Sequence, residues 1–547
     1  MEEKSVKRIR RCAWVFCALA ALLACRLFYI QISGHSELAA AAVAQYEIPL
    51  IGFDTRGMIL DRNYKPLTGG TKEYYYIIKR TLQSPELTGI MESIGARQIA
   101  AANSKYLVYR TEKYNEEIND KLKGEYNAYV FQDQARYSRR QTACHLIGYI
   151  NKDSKVGVSG LELMYEDKLK AGSDRLTIWA DAAGNIIRGL SPAVNEEYGT
   201  SQVMEEKSLV TTIDRRLQHV CEDALADSTK SGAALVMDGQ TGEILAWASA
   251  PVFDPDHVED YLQEESDRLM NKVSQAAYAP GSVFKIVTAA AALESGKCDE
   301  NQKFTCTGQV TVNGVTMTCM AAQEEGHGTL DMNQAMSLSC NCYFAQLGGM
   351  IGEDAIIKMA ERMGFGSKVL DDFPEETPGN LPGEDEAGPW DICNIAIGQG
   401  QILATPLQVA KMTSIIASGG ISAKPSVVSE QEDQEPVDGD DKASIEKERI
   451  LDEEIAGKIE KMLRSVMTEG TGSGQWDSPV WGKTGTAQAG SADGEVSNCW
   501  FTGYCRIGGR TYVVTVMAED GTSGAHTALP VFRDIVSFLE RAQQAGD

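Results

Sequence analysis

Histidine is scarce in this chain, with six in 547 residues. They stand singly, with no H-E-x-x-H run and no pair at metal-binding spacing, which excludes a metallohydrolase of that kind. No C-x-x-C pair recurs at the spacing of a structural zinc site either. No metal and no organic cofactor is therefore expected. Positive charge is also in deficit, 52 Lys and Arg against 77 Asp and Glu, for a formal net charge of −25. Such a balance argues against nucleic acid as a partner and leaves no basic face for anionic lipid. Internal repeats are lacking, and the only candidate membrane segment is near the start. What remains is a globular composition, 43% apolar and 24% charged, in a chain long enough for two or three domains.

Three short patterns stand out by their order: Ser282-Val283-Phe284-Lys285, Ser339-Cys340-Asn341 and Lys483-Thr484-Gly485-Thr486. They read S-x-x-K, S-x-N and K-T-G, the set of enzymes that acylate a serine without a histidine base. A lone S-x-x-K recurs by chance, as Ser444 and Lys447 show inside an acidic stretch. The first pattern differs in its setting. Pro280-Gly281 precedes it and an apolar, alanine-rich run from Ile286 to Leu293 follows, with Gly296 beyond, which reads as a turn entering a buried helix and its stop. On a helix the residue three positions on shares a face, so Lys285 is placed to take the proton of the Ser282 hydroxyl. It can do so only when neutral. Burial and a second cation, Lys483, would depress its pKa, while Ser339 and Asn341 would relay or orient the proton. Backbone N–H groups at the helix start and on the strand carrying Thr486 would hold the oxyanion, a device worth roughly 3 to 4 kcal/mol per donor. Gly485 would let a substrate backbone lie along the strand edge, and the Thr484 and Thr486 hydroxyls suit a carboxylate. Each pattern alone is more often an ordinary helix start, capping segment or strand tripeptide. Their conjunction in this order is not.

With these patterns the chain resembles the class B penicillin-binding proteins, peptidoglycan D,D-transpeptidases, and the likeness covers nearly its whole length. Arg56-Gly57-Met58-Ile59-Leu60-Asp61-Arg62-Asn63, His145-Leu146-Ile147-Gly148-Tyr149, and Gly160-Leu161-Glu162 with Tyr165-Glu166 and Leu169 resemble the family's boxes in its non-catalytic module. Asp238-Gly239-Gln240-Thr241-Gly242 resembles the hairpin that opens the catalytic domain. Gly398-Gln399-Gly400, Thr405-Pro406-Leu407-Gln408 and Trp500-Phe501-Thr502-Gly503-Tyr504 resemble segments around the K-T-G strand. Val283 departs from the family's usual threonine and is expected to face away from the nucleophile. The resemblance implies that Ser282 attacks the penultimate D-alanine carbonyl of a stem pentapeptide, that D-alanine leaves, and that an amine of a neighbouring stem takes the acyl group. It further implies acylation by β-lactam antibiotics and a polytopic membrane glycosyltransferase as partner, since no glycan-polymerising region is recognisable. The rivals are a D,D-carboxypeptidase or serine β-lactamase, which need a positioned water, and a β-lactam sensor or inactive cell-wall scaffold. A scaffold would have lost part of the constellation, which is intact here.

The expected fold class is α+β. Strands at 232–238, 243–249, 478–488, 497–505 and 511–518 would form a five-stranded antiparallel sheet, split by a helical insert and covered by helices on both sides. Helices are expected at 112–123, 355–363 and 406–417. The expected order is a cytoplasmic tail (1–11), a transmembrane signal anchor (12–32), a non-catalytic pedestal of the penicillin-binding protein dimerisation type (33–205) and the transpeptidase domain (206–547). Lys4, Lys7, Arg8, Arg10 and Arg11 before the apolar run would keep the N-terminus in the cytoplasm and the rest outside. A cleaved signal peptide has the same layout, and Leu22-Leu23-Ala24-Cys25 loosely resembles a lipoprotein cleavage site. Of thirteen cysteines three lie in that segment; Cys306 and Cys319 are the best candidate disulfide, with free buried thiols the alternative. Residues 430–441, seven of twelve acidic, read as a mobile surface loop.

Overall fold

The structure, a computed structural model, describes residues 2–30, 47–138, 140–152, 154–181, 185–187, 193–194, 206–264, 266–319, 325–370, 372–383, 392–429, 447–491 and 494–546. The acidic stretch 430–441 lies outside the described residues. Helix α1 (Glu2–Phe28) contains Val6–Phe28, 23 residues of mean hydropathy 1.8 with no buried side chains, long and apolar enough to cross a membrane. At about 1.5 Å per residue it spans roughly 35 Å, against about 30 Å of bilayer hydrocarbon. It begins earlier than residue 12 because Val6 and Ile9 extend the apolar surface between the basic side chains.

The chain divides into two compact units. The first comprises residues 1–56, 71–135 and 171–206. Strand β1 (Thr71–Lys79), helix α2 (Pro85–Ser93), strands β2 (Arg97–Ile99) and β3 (Tyr106–Thr111), helix α3 (Glu116–Glu125) and strand β4 (Tyr129–Ala135) follow in order, and the sheet runs β2-β3-β1-β4. The run Tyr74 to Ile78 favours a pleat because successive bulky side chains leave on opposite faces. Tyr76 and Ile78 pack with Leu87, Met91 and Leu122 of the two helices, while Tyr75 and Ile77 pack with Tyr106 and Val108. Helix α3 starts at Glu116 rather than 112, since the Asn115 side chain caps it by accepting from Ile118 N.

The second unit comprises residues 57–70, 136–170 and 207–547. A continuous pedestal over 33–205 is therefore corrected: two of its segments belong with the catalytic sheet. The cause is burial. Ile59, Leu67, Tyr137, Leu146, Ile147, Leu161 and Leu169 enter the same apolar core as Leu209, Ile213 and the central strands. Ile59 and Leu60 pair in parallel with Leu209 and Val210, and a Cβ on Gly57 would stand 1.8 Å from Lys207 O, so only glycine admits this crossing. Buried Glu162 accepts from Arg136 Nε at 2.7 Å and Tyr137 Oη at 2.9 Å.

In this unit helix α4 (Arg215–Ser228) precedes strands β5 (Gly232–Asp238) and β6 (Ile244–Ala250). Helices α5 (Lys285–Glu294), α6 (Asn341–Ile351), α7 (Glu353–Arg362), α8 (Pro406–Ala417) and α9 (Glu453–Thr468) form the insert. Strands β7 (Val480–Ser491), β8 (Gly494–Ile507) and β9 (Arg510–Ala518) and helix α10 (Leu529–Gln544) complete it. All five strands are antiparallel in the order β6-β5-β9-β8-β7, as expected, with β7 and β8 longer than the sequence pattern suggests. Helices α4 and α10 pack together as one layer, and α8 and α9 as another. Strand β7 is at the edge, so one side of the K-T-G segment has no neighbouring strand in this sheet.

Candidate active site

A 3-10 turn, Gly281–Phe284, leads into α5. From Gly281 to Ala292 every residue is buried except Ser282, which is half-buried. The turn is pinned from several directions. Gly281 has φ +57 and donates its N–H to Gly398 O at 2.8 Å, and a Cβ there would stand 3.1 Å from Thr486 O. Trp500 Nε1 of β8 donates to Ala279 O at 3.0 Å. Glycine thus serves both the left-handed backbone and the close approach of the nucleophile's turn to β7. Val283 is fully buried, where a threonine hydroxyl would need a partner.

Two lysines of the patterns, Lys285 and Lys483, have no exposed surface. Lys285 Nζ donates to Ser339 O at 2.7 Å, Asn341 Oδ1 at 2.7 Å and Ser339 Oγ at 3.3 Å, and none of these bonds goes to Ser282. Lys483 Nζ donates to the same Ser339 Oγ at 2.9 Å and to Thr484 O at 2.9 Å. One hydroxyl therefore bridges both amines. Ser339 is held at φ +56, an uncommon conformation for a residue with a Cβ, at the point where the chain turns into α6. The next residue, Cys340, caps that helix, its Sγ accepting from Tyr343 N at 3.4 Å.

Burial pushes Lys285 down to about 8. Lys483 lies well below the usual lysine value, through burial first and then repulsion from Lys285. Burial, expected to act together with a second cation, is the leading cause at both lysines, and the repulsion is seen at Lys483. Neither lysine has a carboxylate partner among the described residues.

Thr486 is exposed at the strand's surface, and its Oγ1 accepts from Gly524 N at 3.1 Å. Thr484 is buried, with Oγ1 2.6 Å from Thr471 Oγ1. Thr471 was not singled out from the sequence; its only signal is the run Gly470-Thr471-Gly472. Gly485 has a nearer requirement than substrate approach, since its Cβ would stand 3.0 Å from Val283 Cγ1 and 3.1 Å from Pro280 O. All eight residues expected at the site, Ser282, Lys285, Ser339, Asn341, Lys483, Thr484, Gly485 and Thr486, lie on these adjoining elements.

The expected absence of a metal-ligand grouping is corrected. The ligand atoms of Cys306, Cys319, His327 and Cys340 lie within 4.8 Å of one another. The thiols of Cys306 and Cys319, the candidate disulfide, are free and both belong to this group.

Comparison with known proteins agrees with this geometry. Residues 232–537 match the family described as penicillin binding protein transpeptidase domain. The chain is 28% identical over 485 residues to stage V sporulation protein D of Bacillus subtilis, covering 85% of this chain and 73% of the relative. It is 29% identical over 451 residues to the peptidoglycan D,D-transpeptidase MrdA of Acinetobacter baumannii, covering 72% and 65%. A solved structure described as "Structural coordination of polymerization and crosslinking by a peptidoglycan synthase complex" superposes with a TM-score of 0.71 at 23% identity, over 98% of each chain. The family match spans more than half of the chain, over the sheet and all three catalytic patterns, and the chain belongs to the penicillin-binding protein transpeptidase family as a class B member.

Proposed function

We propose that Ser282 is the nucleophile, Lys285 its base, and Ser339, Asn341 and Lys483 the proton relay of this peptidoglycan D,D-transpeptidase. Ser282 Oγ adds to the carbonyl of the penultimate D-alanine as its proton passes to neutral Lys285. The oxyanion forms against N–H groups of the turn and of β7, the two backbone stretches that Gly281 brings together. The C–N bond then breaks, and the proton returns through Ser339 to the departing D-alanine amine. An amine of a second stem attacks the ester and restores Ser282. Thr484, Gly485 and Thr486 bind the substrate, with Thr486 facing its terminal carboxylate.

The observation that carries this reading is a half-exposed serine one helical turn before a buried lysine that shares the Ser339 hydroxyl with a second buried lysine. It favours a transpeptidase over a β-lactamase because no carboxylate stands beside either lysine among the described residues to activate water. Helix α1, with basic residues ahead of its apolar stretch, supports a single-pass membrane anchor with the catalytic unit extracytoplasmic. Structural likeness to the peptidoglycan synthase complex supports a polytopic glycosyltransferase as partner. Mass spectrometry of the full-length protein with benzylpenicillin tests the reading. One acyl adduct on Ser282 is expected, and an adduct elsewhere overturns it.

A further inference from the structure

Four residues before Ser282, Tyr278 is bonded on three sides. Its backbone exchanges hydrogen bonds with Ala404, Tyr278 N donating to Ala404 O at 3.0 Å and Ala404 N to Tyr278 O at 2.8 Å. Its ring meets Trp500 of β8 edge-on with centroids 6.3 Å apart, and Trp500 Nε1 donates to the next carbonyl, Ala279 O. Its hydroxyl donates to Glu519 Oε1 at 2.5 Å, one residue past the end of β9. Burial first, and then the Glu519 charge, raises the phenol above its usual value, so Tyr278 stays a donor.

Glu519 is itself fixed at every polar atom. Its N–H donates to Ser231 O at 2.9 Å, and its carbonyl accepts from Thr229 Oγ1 at 3.3 Å. Ser231 Oγ donates to Glu519 Oε2, while Oε1 accepts from Lys272 Nζ at 3.2 Å as well as from Tyr278. Lys272 has no exposed surface, like Lys285 and Lys483, but unlike them it is paired with carboxylates, Glu519 and Asp267. A buried ammonium left without a carboxylate would be strongly destabilising, so Lys272 keeps Glu519 in place as an anion. The carboxylate is thereby anchored beside the central strands β5 and β9, where Gly232 pairs with Ala518.

We propose that Glu519 and Tyr278 are positioning residues for acylation: the anchored carboxylate holds the Tyr278 hydroxyl, and through it seats the 278–281 segment that places Ser282 against β7. This segment has few ties of its own, because Pro280 has no N–H to donate and Gly281 lies at φ +57. The tolerance is narrow: a Cβ on Gly281 would stand 3.1 Å from Thr486 O, and one on Gly485 3.1 Å from Pro280 O. The glycines permit this approach, and the bond to Glu519 fixes it. A hydrogen bond to an ionised acceptor is about twice as strong as a neutral one, and a 1 Å misplacement of a reacting group can cost about 10²-fold in rate. The role rests on the reading of Ser282 as nucleophile.

The test is stopped-flow acylation of the full-length protein in detergent by a fluorescent penicillin, resolved into a binding constant K and an acylation rate constant k2. Tyr278→Phe deletes one hydroxyl and keeps the ring against Trp500; it should lower k2 about tenfold or more and leave K within about twofold. Glu519→Ala should lower k2 at least as far, and the double variant should fall no further than Glu519→Ala alone. A general loss of stability cannot imitate this split, since an unfolded fraction reduces the labelled amplitude and leaves k2 of the folded molecules as it was. Where circular dichroism shows Glu519→Ala unfolded, k2 of Tyr278→Phe decides alone. An unchanged k2 in Tyr278→Phe, or a loss carried wholly by K, overturns the role. Losses that add in full in the double variant overturn the link through Glu519. A wild-type adduct that maps away from Ser282 refutes the nucleophile assignment itself, and this role with it, before any variant is compared.

Discussion

Acylation should depend steeply on pH, because its proposed base is a buried lysine. Lys285 works only when neutral, and burial places its pKa at about 8. Below that value the ammonium form dominates. At pH 7 about a tenth of the molecules carry a neutral Lys285, and at pH 9 about nine-tenths do, so the acylation rate constant should rise roughly tenfold across that interval and level off above it. Lys285→Ala removes the base and should cost about 10²- to 10⁴-fold, or roughly 3 to 5 kcal/mol of barrier. The protein fold should survive, since Ser339 Oγ keeps its bond from Lys483. Lys285→Arg keeps a cation that never gives up its proton and should fail as a base equally. Stopped-flow acylation with a fluorescent penicillin at fixed ionic strength, with circular dichroism as a check on folding, measures all three. A flat profile between pH 6.5 and 9, or Lys285→Ala within a few fold of wild type, would refute the assignment.

Other expectations follow from the same geometry. Ser282→Ala should abolish covalent labelling while leaving thermal stability nearly unchanged, as read by intact-mass spectrometry and a melting curve. Thr486→Val removes the exposed hydroxyl of β7 and one charge-assisted hydrogen bond to a bound carboxylate, about 1.5 to 3 kcal/mol, so β-lactam recognition should weaken more than tenfold; an unchanged acylation efficiency would assign the carboxylate elsewhere. The penicilloyl-enzyme should outlast an assay cycle and resolve faster onto an added amine than onto water, and many turnovers of penicilloate per minute would favour the β-lactamase. Glu162→Ala strands Arg136 in a largely buried setting and should cost about 3 to 5 kcal/mol, read as a lower urea midpoint of the catalytic unit.

Much of the site was legible in the sequence because its chemistry is local. Ser282 and Lys285 are three residues apart, and the alanine-rich run from Ile286 to Ala292, in which Thr288 is the one polar residue, reads as a buried helix. Thr471 was not legible, since its role is set by a 2.6 Å contact with Thr484, thirteen positions away, across a turn that the sequence pattern does not fix. The helix boundaries moved where a cap outranked the hydrophobic pattern, as Asn115 does at α3.

The sequence by itself marked the candidate nucleophile and its lysines, and it determined the five strands of the sheet and the apolar N-terminal helix, because each is written as a short periodic or motif pattern. Only tertiary structure decided the rest. Residues 57–70 and 136–170 joined the catalytic unit because their apolar side chains find burial there, which no linear boundary expresses. Two lysines 198 positions apart came to donate to one acceptor because the Ser339 hydroxyl lies between them. Cys306, Cys319, His327 and Cys340 became one donor set because a strand pair, a hairpin and a helix start converge. Proximity in space, which sets desolvation and coordination, is not a function of separation along the chain.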